Sequence, residues 1–149
     1  MVKGDGTVFV FNKAKQTFLA YRVRVADSML SRLIGLLGKR SLEPDGGLWI
    51  VPSRGIHTLG MLFDIDVIFL DRNVKVVGLH EMVRPFSITS LNFSAESVLE
   101  LPAHTIFKSR TEIGDELQIS SFETVLSAQT DLPTEASKGE AVGSTASTG

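Results

Sequence analysis

The residues best placed to do chemistry lie between Ile56 and Asp71, in the run IHTLGMLFDIDVIFLD. His57 is of the type that moves protons near neutral pH and also ligates metals. Thr58 beside it carries a hydroxyl. Asp66 sits among Ile65, Val67, Ile68, Phe69 and Leu70, which leave it no polar face. A carboxylate in such a setting must accept hydrogen bonds, pair with a cation, or hold a proton. Thr58, His57 and Asp66 have the residue types of a nucleophile, a base and its orienter. His57 and Met61 could suit a soft ion such as Cu(I), although two ligands four residues apart need a third, and only the fold could bring His80 or His104 to them. Each residue also has a plain structural explanation: Asp66 as an anchor tying a loop to the sheet, Met61 as core packing.

Two cations extend this set. Arg54 stands on the loop that feeds the central strand, and Arg32 lies three residues before Gly35 on an otherwise apolar helical pattern. If Arg32, Arg54, His57, Thr58 and Asp66 border one cleft, it would favour a small polar or anionic ligand or a peptide. Glu100 repeats the problem of Asp66 between Leu99 and Leu101, but alternation puts it on the opposite face, where solvation is the expected answer.

The elements that must position these groups are mostly strands. Thr7 to Phe11 and Thr17 to Val25 read as a hairpin through Asn12, Lys13 and Lys15. Asp27 or Ser28 can cap a helix over about 28–37, with Leu30, Leu33, Ile34 and Leu37 as its apolar stripe and Gly38 as its stop. Leu48 to Val51 is a short strand and Met61 to Leu70 the central one. Val74 to Leu79 returns as a hairpin arm, and Ser97 to Leu101 runs to Pro102. Ala103 to Arg110 could form a second short helix, and Glu116 to Phe122 is the last strand. Many short strands with one clear helix predict a mainly β, barrel-like or sandwich-like domain at the α+β margin, not a doubly wound sheet.

Composition bounds the function. The chain has 149 residues, suiting one domain, and no Cys, which excludes thiolate chemistry and disulfides. Through Leu126 it carries 14 Lys and Arg against 14 Asp and Glu; Lys138, Asp131, Glu135 and Glu140 complete the totals of 15 and 17. A neutral body lacks the basic footprint of a nucleic-acid binder. Residues 1–126 are expected to form the domain and 127–149, rich in Ser, Thr, Ala and Gly without aromatics, a disordered tail. The apolar runs near Leu33 and Ile68 are short and carry Arg32, Asp64 and Asp66, so no membrane span is expected. No signal-like segment opens the chain, and the default expectation is a cytoplasmic monomer.

Four blocks in order carry a family resemblance: Ser31 to Leu37 (SRLIGLL), Ile56 to Asp71, Val98 to Ala103 (VLELPA) and Gly114-Asp115. Together they resemble the bacterial and archaeal family called domain of unknown function 192, over roughly Ala20 to Ser120. The resemblance implies a compact β-barrel-like domain and no established activity. His104 stands where that family often has Gly, so a positive φ there would strain the turn. Ser53 stands where many relatives carry Cys. The sequence thus supports a binding module for a small polar or anionic ligand or a peptide, with no cofactor or metal expected. The alternatives are a hydrolase-type enzyme using His57 and Asp66, or a metal-binding protein.

Overall fold

The computed structural model describes residues 6–28, 31 and 34–130. Seven strands form one curled half-barrel sheet: β1 (Thr7–Asn12), β2 (Thr17–Ala26), β3 (Gly46–Ile50), β4 (Ile65–Leu70), β5 (Val76–Val83), β6 (Ser97–Pro102) and β7 (Leu117–Ser120). Among the described residues the helices with stated bounds are α1 (Thr105–Ser109) and α2 (Phe122–Thr130). The strand order is β5-β4-β6-β3-β2-β1-β7. Only β2 and β3 pair in parallel; every other neighbouring pair is antiparallel. The two edges meet at one end, where Lys75 bridges Glu116 and the Leu117 N–H donates to Val74 O at 3.0 Å. The mainly β expectation holds.

The centre of the sheet is β4 and β6. All six residues of β4, and the first five of β6, are buried. Their side chains alternate between two cores, as a strand with period two must. Ile68, Leu70, Leu99 and Leu101 enter one core with Val10, Val23 and Ile106. Ile65, Val67, Phe69 and Val98 enter a second core with Leu36, Ile56 and Met61. A sheet covered on both faces explains why β4 reads as an unbroken apolar run.

Several boundaries differ from the sequence reading. The central strand starts at Ile65 rather than Met61, because residues 61–64 form the covering layer of the second core. The last strand ends at Ser120 and Phe122 opens α2, which runs through the expected tail boundary at 127 to Thr130 without burying a residue. The rest of the expected tail, 131–149, lies outside the described residues.

The helix expected over about 28–37 is only partly within the described residues. Ser28 does cap it, its Oγ accepting the Ser31 N–H at 3.1 Å. The Gly35 N–H donates to Ser31 O at 2.9 Å, but Gly35 takes φ +46° and ends the helical turn, three residues before Gly38. The stripe is reassigned accordingly: Ile34 and Leu37 are exposed, while Leu36 is buried in the second core.

One close approach fixes the middle of the sheet. A Cβ on Gly47 of β3 would lie 2.9 Å from Glu100 O, 2.9 Å from Leu101 Cδ2 and 3.3 Å from Val23 Cγ2. The first of these is backbone and cannot yield cheaply. Gly47→Ala is therefore expected to destabilise the domain by about 1–3 kcal/mol in urea unfolding, through overpacking. A midpoint unchanged from wild type would show that β3 and β6 can spread at no cost.

Candidate functional site

Asp66 is fully buried, and both its oxygens are used. Oδ1 accepts the Met82 N–H at 3.0 Å and Oδ2 accepts the Ile106 N–H at 2.8 Å. Each contact has a local cause. Between Ile65↔Val83 and Val67↔His80 the partner strand β5 holds one extra residue, a bulge at which Met82 turns to φ +54°. A bulge leaves a ladder N–H free, and Asp66 takes it. On the other side, α1 begins after His104, whose side chain makes no cap and whose backbone sits at φ +70°. The positive φ that would strain a His in place of Gly is present here. With no capping side chain of its own, the first turn of α1 is capped by Asp66 from the neighbouring strand.

Thr58 is likewise buried and committed to the fold. Its Oγ1 donates to Arg84 O at 2.7 Å and accepts the Ser87 N–H at 2.8 Å. Its backbone N–H and C=O engage Ser87 O and the Phe86 N–H. It therefore stitches the loop after β3 to the loop after β5. Arg54 is about half exposed, 4.0 Å from Glu96, a surface contact worth about 0–1 kcal/mol. Arg32 lies outside the described residues.

The cleft itself opens over the second core. It measures about 640 Å³ and is lined by Ile34, Gly35, Leu36, Leu37, Ile50, Pro52, Ser53, Gly55, Ile56, His57, Leu59, Met61 and Glu100. His57 stands at its solvent side, exposed, with its backbone bridged to Ile88. Of the four expected site residues that are described, His57 alone lines it. Asp66 and Thr58 hold the fold around it, and Arg54 falls outside the lining. The hydrolase pairing of His57 with Asp66 is not assembled, because the two Asp66 oxygens serve backbone N–H groups away from the cleft. His57, His80 and His104 do not converge: among the described residues no three His, Asp or Glu side chains could hold a metal ion.

Sequence reasoning missed the group at the base of the cleft. Glu100 was expected on a solvated face and is instead only 3% exposed. Alternation did place it opposite Leu99 and Leu101, on the face of Val98; that face is the one the second core covers. Its strand neighbours in register are Leu48 and Val67. Its Oε2 is buried with no hydrogen-bond partner among the described residues. Burial in this apolar wall pushes its pKa up from 4.5 to about 7. The signal was present in the sequence as a carboxylate inside VLEL, the same signal that marked Asp66.

A curled half-barrel whose sheet carries a carboxylate at the base of an apolar cleft defines a small β-rich domain with an internal pocket. The model of the DUF192 family, described as Uncharacterized ACR, matches residues 6–119. The chain belongs to that family. It is 34% identical over 116 residues to a UPF0127 protein of Thermococcus sibiricus, covering 72% of each chain. To a UPF0127 protein of Pyrococcus horikoshii it is 32% identical over 115 residues, covering 73% of this chain and 96% of that one. A Sinorhizobium meliloti protein whose name suggests a transcription regulator superposes with TM-score 0.66 at 23% identity, over 75% of this chain and 91% of that one. A protein of unknown function from Novosphingobium aromaticivorans gives TM-score 0.66 at 16% identity, over 75% and 83%. At these identities the two structures share the fold alone.

Two expectations follow. Asp66→Ala strands two buried N–H donors and should cost about 1–3 kcal/mol or more, whereas Asp64→Ala, at a partly exposed position, should cost far less. Equal and small losses in chemical unfolding would place Asp66 outside the load path of the fold. The second concerns pH. A carboxyl whose folded pKa is raised binds more protons folded than unfolded, so its stabilising effect is complete below pH 4.5 and is lost as pH rises to about 7. The span corresponds to about 3 kcal/mol. Glu100→Gln should therefore gain on wild type between those limits, measured as the difference of melting temperatures at each pH; parallel curves would mean that Glu100 is solvated.

Proposed function

We propose that the protein is a binding module whose cleft takes up a small ligand, or a peptide side chain, with an apolar body and one polar group. The observation that carries this reading is the cleft over the second core: predominantly aliphatic walls, with His57 at the solvent side and Glu100 at the base. Its size lies within the roughly 300–1,000 Å³ typical of ligand pockets, and a few polar groups in an apolar lining are the usual basis of orientation there. The anionic ligand expected from a cluster of arginines finds less support. Among the described residues the lining contains neither Lys nor Arg. The layer over the second core is held by the Thr58 contacts and by backbone bonds such as Asn92 N–H to Arg54 O at 2.8 Å, which supports a cleft present before any ligand arrives.

A fragment library screened by thermal shift and mapped by amide chemical shifts tests this reading. A fragment of the folded state at one hundred times its Kd should add about 2.7 kcal/mol of stability. The shifts should centre on Gly35, Leu36, His57, Leu59 and Met61. Hits that map elsewhere, or no hits at all, would overturn the assignment of this cleft.

A further inference from the structure

We propose that Glu100 makes the cleft selective for ligands bearing a protonated amine or another N–H donor, whose nitrogen the carboxylate receives at the base while the apolar body fills the walls. This deepens the binding-module reading and rests on it. Among the described residues the cleft has one side-chain carboxylate, and that side chain is almost wholly buried. A carboxylate is an acceptor only, with about four lone-pair sites on its two oxygens. Asp66, on the same sheet, has both oxygens satisfied by backbone N–H groups. Glu100 has no donor to Oε2 among the described residues. Leaving such a group unpaired is costly, so a donor that enters the cleft gains the full benefit of satisfying it.

The surroundings favour a cation over a neutral or anionic head group. Glu100 is flanked by Leu48 on β3 and Val67 on β4. Residues 34–37, which line the same cleft, are Ile, Gly, Leu and Leu. On the loop side the one titratable lining group is His57. Arg24 on β2 lies in the same cross-strand row, beyond Leu48, but is exposed and directed to Gly35 O at 3.5 Å. None of these forms an ion pair with Glu100 among the described residues. In a low-dielectric wall a charge-assisted N–H to carboxylate bond is roughly twice as strong as a neutral one, and a carboxylate ligand would be repelled. The same geometry predicts pH dependence. An ionised Glu100 attracts a cation and a protonated one does not. Amine affinity should therefore rise from pH 5 to pH 8.

The test is a matched series of benzylamine, benzyl alcohol and benzoate, titrated into isotope-labelled protein with chemical shifts as the readout. At pH 8, benzylamine should bind at the cleft at least about tenfold more tightly than benzyl alcohol, and benzoate more weakly still. Glu100→Gln keeps the shape and loses the charge, so it should reduce the amine to the level of the alcohol and abolish the rise with pH. Its fold is checked by the same spectra. If benzyl alcohol or benzoate binds the cleft as tightly as benzylamine, the selectivity is refuted while the cleft remains a binding site. If none of the three reaches the cleft and no fragment does, the binding reading fails and this inference with it.

Discussion

The burial of β4 and β6 on both faces is the constraint from which the rest of the structure follows. A strand with side chains on two faces needs two cores, and this chain builds them from different material. One core is the inside of the curled sheet, filled by the strands and α1. The other is the outside of the same sheet, covered by Leu36, the loop after β3 and residues 61–64. Loops seldom cover a core well, because their backbone groups need partners that strands supply to one another. Here Thr58 and a few loop-to-loop bonds supply them. The cleft is the space that this irregular covering layer leaves unfilled.

Two carboxylates lie within that doubly covered sheet, and they meet its dielectric in opposite ways. Asp66 spends its charge on the architecture. It quenches the N–H freed by the β5 bulge and caps a five-residue helix whose own leading residue, His104, offers no cap. Glu100 faces the covering layer instead of the strands and α1, and no donor among the described residues meets its Oε2. A group fully engaged in folding is poorly suited to binding, and one that folding leaves unpaired is available for it. The contrast separates anchor from site more sharply than residue type could.

The last block of the family signature has a similar structural role at the far end of the sheet. Asp115, after Gly114, accepts from Asn12 Nδ2 at 2.8 Å and from the Glu112 N–H at 3.0 Å. Asn12 is itself fully buried, its Oδ1 receiving the Ala14 and Lys15 N–H groups. The network pins the first hairpin turn to the turn before β7, beside the contact that joins the sheet's edges. Of the four motif blocks, Ile56 to Asp71 (through Thr58 and Asp66) and Gly114-Asp115 thus serve folding, and the VLELPA block supplies Glu100, whose Oε2 has no partner among the described residues.

The sequence by itself marked where most strands lie along the chain, because period-two alternation and turn residues act over a few neighbours. It marked Asp66 as buried and anchoring, since no arrangement of so apolar a strand could solvate it. The family resemblance also singled out His104 as a position where a positive φ would bring strain. The sequence could not show which face of β6 was covered, because that depends on loops remote in the chain folding back over the sheet; Glu100 was therefore assigned to solvent. The positions of Arg54, Thr58 and Asp66 relative to His57 were hidden for the same reason. Adjacency along a loop says little about direction, and tertiary bonds turned Thr58 inward and Asp66 toward α1, leaving Arg54 outside the lining. Gly35 ended its helical turn early, and Leu36 in place of Ile34 and Leu37 became the buried residue. What chain-local physics fixes was legible; what the second core decides became visible only when the sheet had both its faces covered.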